Sequence, residues 1–326
     1  MIQNRKPQVD GILNLNKPKG WTSHDVVAHI RRLTQIRRVG HAGTLDPMAT
    51  GVLLICLGRA TRIAEYLMAG RKRYRAVIRL GISTDSHDAD GQVTATSPVA
   101  ADRAEIERAL SHFRGQIRQV PPMVSALKRQ GQPLYKLARR GITVDRPARP
   151  VEILELTLTE WLSPSLTIEL TCSPGTYVRA LARDLGQQLG CGAHLTALTR
   201  LASGDFVLNE AIQVEQFAAA VAAGDEDEAR APSGTDLQAK KPAPGWHTLV
   251  LPIEAGLRHF PAHTVGAPES RRVRSGQSLP ANLITASTDQ LCRVYAAGDP
   301  DTRLLALLKF DEEAQVWRPH KVFHPL

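Results

Sequence analysis

The chain has 326 residues, 43% of them hydrophobic and 22% charged, with a formal net charge of +9. That size and composition exclude a fibre or a wholly disordered polymer and fit one large globular domain or two. Cys56, Cys172, Cys191 and Cys292 lack paired spacing, the N-terminus lacks the apolar core of a secretory signal, and no apolar run reaches bilayer length; a disulfide framework, a zinc site and a membrane are therefore not expected, and a reducing cytoplasm is.

GILNLNKP, from Gly11, predicts a strand leading into Lys17, Pro18 and Lys19. Thr22 or Ser23 then caps a helix in which Val26, Val27, Ile30 and Leu33 share a face, leaving Arg31 and Arg32 on a basic one. GHAGTLDPMATGVL, Gly40 to Leu53, follows and holds a single carboxylate, Asp46. Gly40 and Gly43 let the backbone approach a ligand closely, and Pro47 biases Asp46 away from helix. The apolar run Val52 to Leu57 reads as a buried strand that anchors this loop. Asp46 is a candidate nucleophile on that reading, and the opening residue of an Asp-Pro turn on a plainer one.

Ala60 to Met68 predicts a helix, and Arg71 to Leu80 a strand with Tyr74, Ala76, Ile78 and Leu80 on one face. Asp85, Asp88 and Asp90 in STDSHDADG read as a turn cluster. Ala101 to Phe113 reads as an amphipathic helix, and QVPPMVSALKRQGQPLYKLARRG as a loop feeding a short basic helix. Val151 to Leu158 and Leu166 to Cys172 read as strands, the second alternating as in a sheet with one wet face. This favours a mixed, largely antiparallel α+β fold over a doubly wound parallel one. SPGT opens a helix, Tyr177 to Leu189, closed by Gly190. Residues 221–245, rich in charge, proline and glycine, are expected to be a flexible linker or insertion between a domain at 1–220 and a small β-rich module at 246–326. Strands are expected in that module at Arg293 to Ala296, Leu304 to Phe310 and Lys321 to Phe323.

Charge is unevenly spread. Residues 1–80 carry 15 Lys or Arg against 4 Asp or Glu, a net of +11, so the remainder carries −2. A second basic stretch runs from Lys128 to Arg149. Such a field draws phosphate backbones, making nucleic acid the leading partner; a solvated face that aids solubility is the alternative. If the scattered groups converged, Arg179 would orient Asp46 while Tyr74 and Tyr177 offered flat faces to a base. Taken singly, the tyrosines could be core aromatics and Arg179 an exposed helix residue. No catalytic triad, phosphate-cradling loop, metal cluster or dinucleotide fingerprint is visible, so chemistry on a nucleobase without a cofactor is expected.

KPKGWTSHDVV, GHAGTLDPMATGVLLICLGRAT, KRYRAVIRLGISTDSHDADG, PPMVSALKRQGQPLYKLARRG and CSPGTYVRALARDLGQQLGCGAHLTALTRL occur in an order and spacing that resemble bacterial TruB-type tRNA pseudouridine synthases over roughly residues 10–220. The resemblance implies isomerisation of uridine 55 in the T-loop of tRNA by a flipped-base mechanism. It makes Asp46 the nucleophile, Tyr74 the stacking ring and a proton-transfer candidate, and Arg179 the partner of the aspartate. Tyr177 becomes an active-site neighbour, His41 the side chain that fills the vacated loop, Leu198 a pocket residue, and Lys17 and Lys19 part of a basic motif at the substrate entrance. Attack on the base, attack on the sugar and removal of a sugar proton all use the same carboxylate. The C-terminal segment is similar to the family's PUA-like RNA-binding domain, where His259, Arg271, Arg272 and Arg274 either contact RNA or solubilise a small barrel. The implied enzyme works as a monomer on tRNA with no obligatory protein partner. The rival readings are a non-catalytic tRNA-folding chaperone, a guide-dependent dyskerin-type synthase, and a hydrolase that would need a second carboxylate and release free uracil.

Overall fold

The computed structural model describes residues 9–125, 128–129, 131–134, 137, 140–142, 144–230, 245–287, 290–298 and 303–323. Strands β1 (Gly11–Lys17), β2 (Val39–Ala42), β3 (Thr50–Leu57), β4 (Lys72–Leu80), β5 (Gly115–Gln119), β6 (Arg149–Leu162), β7 (Ser165–Cys172), β8 (Ala193–Ser203), β9 (Phe206–Val207) and β10 (Ile212–Gln213) form one ten-stranded sheet. Its order is β10-β1-β3-β8-β4-β7-β6-β5, with β2 beside β3 and β9 beside β8. Only the β10 on β1 and β8 on β3 pairings run parallel, so the sheet is mixed and largely antiparallel, as expected. Helices α1 (Ser23–Thr34), α2 (Ala64–Ala69), α3 (Arg103–Ser111), α4 (Val178–Gln188) and α5 (Val214–Arg230) accompany it.

Local sequence explains most of these elements. The Thr22 hydroxyl accepts the Asp25 N–H and the Asp25 carboxylate accepts the Thr22 N–H, a capping box that starts α1 and contributes about 1 kcal/mol. Along β4, Lys72, Tyr74, Ala76, Ile78 and Leu80 are buried while Arg73, Arg75 and Arg79 are exposed. Strand β3 shows no such alternation because both of its faces are covered. Leu53, Ile55 and Leu57 pack in one cluster with Val26, Val27 and Ile30 of α1. Val52, Leu54 and Cys56 pack in a second with Ile253, Leu304, Leu307 and Phe323 from the C-terminal module.

That module is a five-stranded sheet of β11 (Ala262–Val265), β12 (Leu279–Pro280), β13 (Cys292–Ala296), β14 (Leu304–Asp311) and β15 (Val316–Val322), ordered β11-β13-β14-β15-β12, with helix α6 (Ala267–Arg274) beside it. Sequence patterning had placed three strands there; β11, β12 and α6 are too short to carry a periodicity of their own. Two further expectations differ. Ala60 to Met68 is a tight 3-10 turn over Gly58–Ile63 followed by α2. Helix α5 continues past residue 221 to Arg230, because AAAVAAGDEDEAR consists mostly of helix-favouring alanine and glutamate. The rest of the expected linker, 231–244, and much of the expected basic helix after Pro121 lie outside the described residues. Among the described residues no helix is long and apolar enough to cross a membrane.

Candidate active site

The Asp46 loop joins β2 to β3 and is pinned from several sides. The Asp46 carbonyl accepts the Ala49 N–H at 3.1 Å, closing the expected Asp-Pro turn, and the Pro47 carbonyl accepts the Gly20 N–H at 2.8 Å. The Ser23 hydroxyl donates to the Leu45 carbonyl and accepts the Leu45 N–H, at 3.2 and 2.9 Å. Gly51 ends the loop at φ +101, where a Cβ would stand 2.3 Å from the Arg200 carbonyl oxygen; only glycine lets β8 lie this close to β3.

Arg179, in the first turn of α4, reaches Asp46 from below. Its side chain is 3% exposed, whereas that of Asp46 is 34% exposed, so the carboxylate is gripped on one side and open to solvent on the other. Nη2 donates to Oδ1 at 2.9 Å, and Nε lies 2.9 Å from Oδ2 as a charge contact without hydrogen-bond alignment. Nη1 faces Asp88 Oδ2 at 3.3 Å and donates to the Ser86 carbonyl at 3.2 Å, while Nη2 also donates to the Val124 carbonyl at 2.8 Å. Asp88 is itself 5% exposed and accepts from Ser86 Oγ and the Asp90 N–H. Burial raises the Asp46 carboxyl above its ordinary range; the Arg179 charge and hydrogen bond and the Lys17 charge oppose this, and Asp88 adds to it.

Tyr74 lies on the buried face of β4, 8% exposed, opposite Arg200 of β8. Burial raises its phenol, which Arg200 opposes by charge and by a hydrogen bond. Leu198, two residues before Arg200 on the same face of β8, pairs with Ala76. Tyr177 is the N-cap of α4, and its backbone is clasped by Gln119 of β5, whose side chain accepts the Tyr177 N–H at 3.0 Å and donates to its carbonyl at 3.3 Å. His41, on β2, meets His24 edge to face at 5.2 Å, and its buried Nδ1 has no hydrogen-bond partner among the described residues. Burial, reinforced by His24 and Arg200, lowers His41 to about 4, so the ring is neutral at physiological pH. A cavity of about 430 Å³ lined by Tyr66, Gly70, Ser203, Phe206 and His259 lies elsewhere; Asp46, Tyr74, Tyr177 and Arg179 do not line it.

Residues 31–178 match the TruB family pseudouridylate synthase N-terminal domain, and residues 179–258 match the tRNA pseudouridylate synthase B C-terminal domain. The chain belongs to the TruB family. It is 40% identical to the tRNA pseudouridine synthase B of Ralstonia nicotianae, over 99% of this chain and 97% of the relative. It is 43% identical to that of Dechloromonas aromatica, over 89% of each. The crystal structure of a Cbf5-Nop10-Gar1 complex superposes with a TM-score of 0.73 at 25% identity, covering 98% of this chain and 88% of that one. An H/ACA RNP bound to a substrate RNA containing 2'-deoxyuridine gives 0.71 at 22% identity, over 99% and 93%, a likeness of fold. Membership makes this chain a pseudouridine synthase, an isomerase.

Within this TruB fold the expected contact of Asp46 with Arg179 is present, and β4 and β8 bring Tyr74 and Leu198 to adjoining positions on one face of the sheet. Lys19 is exposed. Lys17 departs from its expected position at a substrate entrance: it is fully buried, and Nζ donates to the carbonyls of Pro18, Trp21 and Pro47 at 2.9, 2.7 and 3.3 Å. All three of its donors are spent on the protein, so it braces the Asp46 loop; burial lowers it to about 8. Two residues escaped the sequence reading. Asp88 passed for a turn residue, and nothing local links it to Arg179. Arg200 had a signal, a charged residue at the parity of Leu198 in LTALTRL.

Proposed function

We propose that this enzyme converts uridine 55 of the tRNA T-loop to pseudouridine, with Asp46 as the catalytic carboxylate. One observation carries the reading: the Asp46 carboxylate stands 2.9 Å from an enclosed arginine yet keeps a third of its side-chain surface open to solvent. Such a group faces a fixed cation on one side and remains within reach of a large substrate on the other. The relatives named tRNA pseudouridine synthase B, 40–43% identical, support tRNA as the substrate.

A base inside a folded loop hides its reactive edge, so the nucleotide turns out of the stack at a cost of a few kcal/mol. Stacking on Tyr74 and insertion of the neutral His41 ring offset that cost. Tyr177 and Leu198 bound the base. Asp46 assists cleavage of the bond from N1 to the sugar; the base rotates while held and rejoins the ribose through C5, and the C5 proton leaves as N1 takes one up. Nothing enters or departs overall. Lys19 and the basic segments hold phosphates, and recognition relies on shape and single-stranded loop contacts. The module at 246–326 acts as the PUA-like RNA-binding domain, the segment at 221–245 joins it to the catalytic domain at 1–220, and the working unit is one chain in the cytoplasm without an obligatory protein partner.

Carbodiimide mapping of pseudouridine on a defined T-arm transcript, with no other protein present, tests this. Wild-type protein is expected to modify the T-loop uridine, and Asp46→Asn to be inactive while still binding RNA. Full isomerisation by Asp46→Asn would remove Asp46 from the reaction, and release of free uracil would point to a hydrolase.

A further inference from the structure

Arg200 is 1% exposed, and among the described residues only Trp317 is a larger fully buried side chain. Nε donates to the Val52 carbonyl at 2.6 Å, Nη2 to the Gly43 carbonyl at 3.0 Å and Nη1 to the Thr44 carbonyl at 3.4 Å. Arg200 also stands directly across from Tyr74, its register partner on the neighbouring strand, and its charge opposes the rise that burial imposes on the phenol. No ion pair links it to a carboxylate among the described residues, and its buried neighbours Lys17 and Lys72 are basic as well, both lowered to about 8. An enclosed charge without a counter-ion is unfavourable, and a hydrophobic side chain of similar volume often serves equally well as filler. The contacts here are not those of filler. They tie residues 43–44, just before Asp46, to Val52, just after the loop, and set that junction beside the tyrosine paired with Arg200 on the neighbouring strand.

We propose that Arg200 is a positioning residue for the isomerisation, holding the Asp46 loop and the Tyr74 ring as one unit so that carboxylate and stacking face keep a fixed separation. The inference rests on the roles of Asp46 and Tyr74 proposed above. Lysine cannot replace the planar fork, because a single ammonium does not span carbonyls on both ends of a loop.

The test uses the full chain, single-turnover kinetics on the T-arm transcript, RNA binding and amide hydrogen exchange. Arg200→Lys is expected to slow the chemical step by about 30-fold or more, as displacements near 1 Å do, while the Kd for RNA changes less than about threefold. Exchange at Gly43 to Asp46 should quicken while β6 and β7 keep their protection. Combining Arg200→Lys with Tyr74→Phe should cost little beyond the slower single variant, because the two act as a unit. Tyr74→Phe, which opens no cavity, should by itself quicken exchange at residues 43–46, and this reads the coupling even if Arg200→Lys fails to fold. The inference is overturned by an Arg200→Lys rate within about threefold of wild type, by multiplicative effects in the double variant, by loss of protection across the whole sheet, or by unaltered loop exchange in Tyr74→Phe. If Asp46→Asn and Tyr74→Phe both stay fully active, the site assignment itself fails; if both are impaired and Arg200→Lys is not, only the positioning role does.

Discussion

Replacing Arg179 with methionine keeps the bulk of the side chain and removes its charge, and the consequence follows from what the guanidinium touches. Asp46 lies at 2.9 Å and Asp88 at 3.3 Å, and the carbonyls of Ser86 and Val124 accept from it at 3.2 and 2.8 Å. Removing one partner of a buried ion pair costs about 3–5 kcal/mol, and each orphaned carbonyl adds up to about 1 kcal/mol. Water reaching the part-exposed Asp46 recovers some of its share, so about 4 kcal/mol is expected in all. At about 2–4 °C per kcal/mol this is a Tm fall of about 10 °C near neutral pH, read by circular dichroism. The pH dependence has a definite sign. Burial already raises Asp46, and without the cation that opposes the rise it moves further above about 3.9, the unfolded value. Its unfavourable contribution is then present above the raised value and absent below the unfolded one, so the gap to wild type narrows as pH falls. Adding Asp88→Asn to Arg179→Met removes one of the two stranded charges and should recover about half of the loss. Equal Tm values for wild type and Arg179→Met at both ends of the pH range would refute the assignment of Arg179 as the counter-ion of two enclosed carboxylates.

His41, lowered from 6.5 to about 4, binds a proton less readily folded than unfolded. Stability should therefore fall as pH drops from 6.5 to 4, by at most about 3 kcal/mol from this ring and less where solvent reaches it; in His41→Asn that slope is reduced, as denaturant melts across the range would register. Gly51→Ala should destabilise by about 2 kcal/mol or more, since it combines φ +101 with a Cβ 2.3 Å from a backbone oxygen, and thermal unfolding with single-turnover activity should fall together. Leu307→Asp, on the C-terminal module, should lower the Tm and also slow isomerisation, because its side chain shares a cluster with Val52 and Leu54 of the strand that follows the Asp46 loop; normal activity in a folded variant would show the module to be a mere appendage.

Much of the catalytic domain was legible because its signals are local. The Thr22 and Asp25 pair announces α1, the alternation of β4 identifies the face bearing Tyr74, and glycine and proline around Asp46 mark a rigid turn. The contact of Arg179 with Asp46 was anticipated from the quoted motifs rather than from any periodicity. What escaped depended on neighbours remote in the chain. Asp88 is an ordinary turn aspartate until α4 presents Arg179 to it, and Lys17 is an ordinary basic residue until α1 and the Asp46 loop close over it. The part of α5 beyond residue 221 was missed because alanine and glutamate favour a helix there without continuing the apolar stripe of Val214, Phe217 and Val221.

By itself, then, the order of residues determined most of the longer strands and helices, where the backbone must turn, and which side chains carry charge or a ring, since these follow from steric and hydrophobic preferences a few residues wide. Only the tertiary structure decided that Arg179 also meets Asp88, which cations are shut away from solvent, and that the C-terminal module covers the outer face of β3. Those outcomes depend on register between distant strands and on burial, and burial is a property of the assembled fold: it changes a side chain's solvation and proton affinity without changing any neighbour in sequence.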